Sequence, residues 1–207
     1  MMEQRTDDWY TARLGKVTAS RVADVVAKTK TGVSASRGNY MAQLIVERLT
    51  GKPTESFNSS AMQWGTDTEP LARAAYEMAT DTIVDEVGFV EHELLPNCGA
   101  SPDGLVGDKG LIEIKCPNTA THIETLINGT IDNRYMLQMQ WQMACTDREW
   151  CDFVSFDPRM PEALQLKIIR VPMNEMLIVD LENQVAEFLN QVQEKIEILN
   201  NLKVKNG

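Results

Sequence analysis

Residues 111–116 read Leu-Ile-Glu-Ile-Lys-Cys, and the alternation of Glu113 and Lys115 with Ile112 and Ile114 leaves few ways to fold. Side chains two apart on a strand point the same way, so this run carries one apolar face and one charged face. Charged groups among isoleucines are costly to desolvate unless partners meet them. The preceding stretch, "GASPDGLVGDKG", offers a turn and a second strand. A three-residue loop at Asp108-Lys109-Gly110, with Gly110 left-handed, pairs Gly107 with Leu111 and sets Asp103 opposite Lys115. Asp103, Glu113 and Lys115 then share one face. A two-residue turn at Asp108-Lys109 opposes Asp103 to Ile114 instead, on the wrong side. The glycine favours convergence.

Two neighbouring carboxylates repel one another, and a cation between them relieves the repulsion. Oxygen donors on few residues suit a hard divalent ion, Mg2+ or Mn2+. Such an ion acidifies water and stabilises charge on a phosphoryl oxygen, while a nearby ammonium holds the attacking water. The combination fits hydrolysis of a phosphodiester. It fits acyl transfer poorly, because no activated serine or cysteine is evident. The alternative is a salt-bridged strand face, with Asp103 and Lys115 as a cross-strand ion pair.

At 207 residues, one domain with a sizeable core is expected. No apolar run approaches a membrane span and "MMEQRTDDWY" has no signal-peptide core, so a cytoplasmic, non-membrane protein is expected. The four cysteines form no CxxC pair and read as buried thiols rather than disulfides or a zinc site. With only His92 and His122, a histidine-based zinc site or a Ser-His-Asp triad has little to draw on.

The net charge of −10 is uneven. Residues 1–52 hold nine Lys/Arg against five acids, a local +4, which leaves −14 for the remainder. A basic N-terminal surface meeting a polyanion is one reading; solvated helix faces and internal ion pairs are the others.

Hydrophobic spacing and end signals predict helices over 18–27, 36–51 (ending on Gly51) and 60–81, the last broken or starting late because of Gly65 and Pro70. "GKPTESFNSS" (51–60) is the most loop-like stretch. The period then changes. Residues 82–93, 99–107 and 110–116 read as consecutive strands of an antiparallel meander. Helices follow at about 119–128 and 134–146, strands at 150–156 and 164–171, and a long helix from near Asn174. Its stripe of Leu177, Leu181, Val185, Phe188, Leu189, Val192, Ile196 and Leu199 reads as docking onto the domain's own core. The class is α/β or α+β, a mixed sheet flanked by helices.

Six collinear segments extend this reading: Trp9 to Ser20, "WGTDTE" at 64–69, "SPDGL" at 101–105, "LIEIKCP" at 111–117, "YMLQMQ" at 135–140 and "DPRM" at 157–160. With them the chain resembles the lambda exonuclease family of phage recombination nucleases (YqaJ type), in the PD-(D/E)xK nuclease superfamily. The resemblance implies a restriction-endonuclease-like fold and a single nuclease domain over 1–207. That domain would comprise a helical DNA-end-binding part at about 1–80, a catalytic sheet at about 82–172 and a C-terminal helix at about 174–203. It implies a Mg2+-dependent exonuclease digesting one strand of linear duplex DNA from 5′ to 3′, releasing mononucleotides and leaving 3′ overhangs. It also implies a ring-shaped homotrimer, a phage single-strand annealing protein as partner, and a bacterial host cytoplasm.

By the same resemblance, Asp103 and Glu113 bind metal (two Mg2+ ions, with Mn2+ able to substitute), joined by the carbonyl of Ile114. Lys115 orients and activates water, Glu69 lies near the metals, and Gln138 is an active-site glutamine. Taken alone, Glu69 is an ordinary helix-start acid, and Gln138, Gln140 and Gln142 are polar positions on an amphipathic helix. Arg13, Ser20 and Ser101 match a pocket for the 5′-phosphate, consistent with a guanidinium and two hydroxyls; for Arg13 the alternative is an ion pair with Asp7 or Asp8. Lys30 matches a basic residue reaching the minor groove and Met62 an apolar wedge between strands. A family arginine falls on Thr121 here, leaving one phosphate contact unassigned. Two rivals remain: another nuclease of the superfamily, with cysteines not spaced for an iron–sulfur version, and an inactive DNA-end-binding scaffold.

Overall fold

The computed structural model describes residues 3–30, 32–54 and 59–206. Its N-terminal part opens with helix α1 (Asp7–Arg13), capped by the Thr6 side chain, then strand β1 (Val17–Thr18), a 3-10 turn at Ala19–Arg21 and the short α2 (Val22–Val26). The helix expected over 18–27 is thus split between two geometries, three residues of 3-10 turn and five of α-helix. A small hairpin, β2 (Lys28–Thr29) and β3 (Gly32–Val33), leads to α3 (Ala35–Thr50). Ser34 caps α3 by accepting from Arg37 N at 3.3 Å, and Gly51 closes it in the left-handed conformation, φ 66°. Within the loop-like stretch 51–60, residues 55–58 lie outside the described residues.

Helix α4 (Ser60–Thr80) runs without interruption through Gly65 and Pro70, contrary to the expected break. Proline removes one backbone donor from the ladder, but the inner face of α4 is anchored by Thr68, Ala72 and Tyr76, all buried. That packing holds the helix across the missing hydrogen bond.

The strand expected over 82–93 is two strands in two sheets: β4 (Val84–Asp85) and β5 (Val90–Glu91). The strand expected over 99–107 likewise divides into β6 (Cys98–Ala100) and β7 (Gly104–Val106). Strands β1, β6 and β5 form a small sheet in that order. The main sheet continues with β8 (Gly110–Lys115), α5 (Thr119–Asn128), α6 (Asn133–Thr146), β9 (Trp150–Phe156) and β10 (Leu166–Pro172). Its order is β10-β9-β8-β7-β4; only the β8–β9 pair is parallel. The antiparallel meander therefore holds for β4, β7 and β8 alone. Helix α7 (Glu175–Asn206) completes the chain.

The pleat sorts the core. Ile112, Ile114, Val154 and Phe156 face α4 through Ala72 and Tyr76, while Leu111, Cys151 and Phe153 face α6 through Met139 and Met143. The other side of α6, with Leu137, Trp141 and Cys145, packs against α2, α3 and α7. From α7 come Leu181, Val185, Phe188, Leu189, Val192 and Ile196, so most of the expected stripe docks internally; Leu199 stays 38% exposed. Among the described residues no helix is long and apolar enough to cross a membrane. Cys98, Cys145 and Cys151 are buried, Cys116 is half-buried, and none is bridged.

Both histidines hold loops rather than forming a catalytic group. Leu164 O accepts from His122 Nε2 at 2.9 Å, and Ser155 Oγ lies 2.7 Å from Nδ1. His92 Nδ1 accepts from Leu94 N and Leu95 N, each at 3.2 Å, which leaves Nε2 to donate to Glu182 at 3.1 Å.

Candidate active site

The β7–β8 hairpin sets the geometry. Val106 pairs with Gly110 and Gly104 with Ile112, so the three-residue loop is Gly107-Asp108-Lys109 and the left-handed glycine is Gly107, φ 54°. The expected loop was one residue further on. Gly110 is required for a different reason: a Cβ there would lie 2.2 Å from the Trp150 ring. Continuing the ladder by one residue places Asp103 across from Glu113 rather than Lys115. Because the register moved by two, the face is unchanged, and Asp103, Glu113 and Lys115 converge.

Glu113 is fully buried and its carboxylate is clamped from α6. Gln138 Nε2 donates to Oε1 at 2.7 Å, and Gln142 Nε2 donates to Oε2 at 2.6 Å. Lys115 Nζ also donates to Oε1, and lies 4.9 Å from the Tyr135 ring centroid. Asp103 Oδ2 accepts from the backbone N–H of Ile114 at 2.7 Å, which ties the end of β7 to β8. Burial, and next the charge of Glu113, push the Asp103 carboxyl well above the usual range; Lys115 only partly offsets them. Burial pulls on the Lys115 ammonium in the opposite sense, but Glu113 and Asp103 outweigh it and hold the amine protonated.

Glu69 sits in the middle of α4, not at its start, and is bridged by Arg5 at 2.5 Å and Arg73 at 3.2 Å. Its charge adds to the pressure on Asp103. Burial, followed by the charges of Glu69 and Asp103, pushes the neighbouring Cys116 thiol up to about 12. A thiol held protonated is neither a nucleophile nor a thiolate ligand.

A divalent cation is implied by this type of site, and the donor set fits one. Asp103 and Glu113 bring two carboxylates together with Lys115 only partly offsetting their charge, and carboxylate oxygens are the donors a hard cation prefers. Among the described residues no three His, Cys, Asp or Glu side chains converge as a cage. Two carboxylates, with retained waters, match the coordination habit of a hard divalent cation.

A second cluster lies on the N-terminal side. Ser101 Oγ accepts from Arg13 Nη1 at 3.1 Å and from Trp9 Nε1 at 2.9 Å, and the Arg13 guanidinium stacks 4.0 Å from the Trp9 ring centroid. Arg13 thus pairs with Ser101 rather than Asp7 or Asp8. Ser20 is exposed on the turn after β1, with Oγ 3.4 Å from Thr18 Oγ1, and no hydrogen bond joins it to Arg13 or Ser101 among the described residues. Lys30 is exposed at the β2–β3 turn. Met62 stands in the first turn of α4, 55% exposed. Thr121 lies in the first turn of α5, beside a pocket of about 300 Å³ that also touches Lys115, Tyr135 and Phe153.

Gln142, Trp9, Arg5 and Arg73 were not singled out from the sequence as contributors to these clusters. The four-residue spacing of Gln138 and Gln142 is a usable signal, since it puts both amides on one helix face. Gln140 points elsewhere: it donates to Pro172 O at 2.9 Å and accepts from Asn174 N at 2.8 Å, fastening α6 to the start of α7.

Beyond β9, Asp157 is fully buried and bound by Arg159 Nε at 2.7 Å, while Arg159 reaches Pro117 O at 3.0 Å and stacks on Trp64. Burial alone would raise the Asp157 carboxyl, but hydrogen bonds from Arg159 and Thr119 outweigh it and hold the carboxyl at about 2. A carboxyl depressed in the folded state stabilises above its ordinary value of 3.8, and that stabilisation is lost as pH falls towards 2. In acid-unfolding titrations, Asp157→Asn is expected to abolish this part of the pH dependence.

The sequence profile of the YqaJ-like viral recombinase domain matches residues 8–149. An alkaline exonuclease from Laribacter hongkongensis is 52% identical, with a TM-score of 0.92 covering 98% of this chain and 100% of that one; its dAMP complex matches equally well. A phage-related exonuclease from Haemophilus somnus shares the fold at 16% identity, TM-score 0.70, over 89% of this chain and 96% of that one. A search of curated proteins returned no match. With the profile spanning most of the chain and a relative similar along its full length, the protein belongs to the family of YqaJ-like viral recombinase domains.

Proposed function

We propose that the chain is a single nuclease domain that digests linear duplex DNA from 5′ to 3′, using Mg2+. The reading is carried by the convergence of Asp103, Glu113 and Lys115, held by Gln138, in a chain 52% identical to an alkaline exonuclease. Asp103, Glu113 and the Ile114 carbonyl would hold two Mg2+ ions, with Mn2+ able to substitute. Bound there, such ions supply Lewis acidity toward a phosphoryl oxygen and ease deprotonation of water.

The chain's own groups do the rest. The Lys115 ammonium holds the attacking water against the scissile phosphorus. Gln138 and Glu69 border that site. Arg13 and Ser101, joined by Ser20, grip the terminal 5′-phosphate and so fix how far the first nucleotide enters. Cleavage on the 3′-oxygen side of that nucleotide releases a 5′-mononucleotide. It leaves a fresh 5′-phosphate on the shortened strand, so each turnover creates the group that Arg13 binds next. Lys30 would reach the minor groove and Met62 would part the strands.

Three such chains would form a ring around DNA. Within it, the basic residues of 1–52 line the passage and the acidic remainder faces outward. The 3′ overhangs would serve recombination through a phage single-strand annealing protein in the bacterial host cytoplasm.

The test is linear duplex labelled at either end, with and without 5′-phosphate and Mg2+. Release of 5′ label as mononucleotide is expected, dependent on both. Arg13→Ala is expected to lose most of the preference for phosphorylated over hydroxyl ends, roughly tenfold to a hundredfold, consistent with the loss of a charge-assisted contact of about 1.5–3 kcal/mol. Internal cuts in closed circles would indicate a different nuclease. Binding without cleavage would indicate a DNA-end scaffold.

A further inference from the structure

Gln142 makes a contact that the proposed chemistry has not yet used. It follows Gln138 by one helical turn on α6, and both amides reach the same carboxylate by different oxygens. Their surroundings differ. Gln138 is half-buried, at the open side of Glu113, whereas Gln142 is fully buried, as is Glu113 itself. Around them stand Met139, Met143, Cys151 and Phe153, an apolar setting in which an amide has little reason to be. Gln142 therefore cannot touch DNA or solvent.

Its other end is stranger. Among the described residues, Gln142 Oε1 is buried with no hydrogen-bond partner. Turning the amide over would not cure this, because it would set the carbonyl against the Glu113 carboxylate, two acceptors face to face. The observed orientation is the one the carboxylate dictates. A side chain chosen for packing or stability would not leave a buried acceptor unmet.

We infer that Gln142 is a positioning residue: it locks Glu113 by Oε2, so that Oε1 stays aimed at Lys115, Gln138 and the cation. Without it, the carboxylate is held from one side only and turns about its terminal bond. Partners that orient a ligand in this way typically change metal affinity or activity by roughly tenfold to a hundredfold when removed. The inference rests on the proposed metal-dependent reading of the same site.

Gln142→Met tests it, since methionine matches the length while removing both the donor and the stranded acceptor. Three quantities are read on purified protein: thermal midpoint, Mn2+ binding alone by electron paramagnetic resonance, and kcat and KM on linear duplex DNA. Expected are an unlowered thermal midpoint, Mn2+ binding weakened at least roughly tenfold, a fall in kcat of similar size and an unchanged KM for DNA. In a Glu113→Ala background the same substitution should leave Mn2+ binding where Glu113→Ala alone put it, because Gln142 acts only through that carboxylate.

Wild-type Mn2+ binding and kcat in Gln142→Met would overturn the inference while leaving the proposed function standing. A wild-type protein that neither binds Mn2+ nor digests DNA would overturn the proposed function and take this inference with it. Should Gln142→Met fail to fold, Gln142→Asn, whose amide is withdrawn by one methylene, replaces it with the same readouts and outcomes.

Discussion

Lys115→Ala is expected to lower kcat on linear duplex DNA by roughly 10²–10³-fold, the range for losing one preorganised charged hydrogen-bond donor at the reacting centre. The effect should fall on chemistry and not on metal occupancy. Lys115 donates to Glu113 and counters the charge of both carboxylates. Removing it leaves Asp103 and Glu113 with more uncompensated negative charge, so Mn2+ binding should hold or strengthen while turnover collapses. Parallel measurements of Mn2+ binding and 5′-label release separate the two. A variant that keeps more than about a tenth of wild-type kcat would remove Lys115 from the reaction, since the smallest expected loss is larger.

Phe188→Ala should have the largest effect on stability. Phe188 is fully buried on α7, stacks against Tyr40 with ring centroids 5.8 Å apart, and carries the Arg37 guanidinium 5.0 Å from its ring. Truncating a core phenylalanine costs roughly 3–5 kcal/mol through lost transfer energy and the cavity left behind. In a chain of this size that corresponds to a fall in Tm of roughly 6–20 °C. Because α7 packs on the far side of α6 from Glu113, kcat per folded molecule should be unchanged below the transition. Urea unfolding and active-site titration together check both halves.

Much of the frame was legible in the sequence because long elements repeat their own signal. Gly51 closes α3 where expected, and the α7 stripe names most of the residues that dock. The alternation around Glu113 correctly made β8 a strand with a charged face and an apolar one. The short strands were not legible. With two or three residues each, β4 to β7 have no period to read, and the division into two sheets turns on β6 pairing with β1, far back in the chain. Gly110 misled for a related reason: its lack of a side chain serves Trp150, forty residues away, not the turn. At the site, Arg13 and Ser101 came from family resemblance rather than spacing, and only the fold brings Trp9 onto the same hydroxyl. Gln142 escaped notice because a glutamine on an amphipathic helix ordinarily faces water.

The four cysteines have a practical consequence. Cys98, Cys145 and Cys151 are shut away, and Cys116 beside the carboxylates is held as the neutral thiol. Maleimide reacts with exposed thiolate, so the native chain offers almost none. One cysteine placed on the outer face of α7 would then be the sole quick-labelling handle. A dye attached there would let single molecules be watched advancing on tethered DNA without first stripping the natural cysteines from the core.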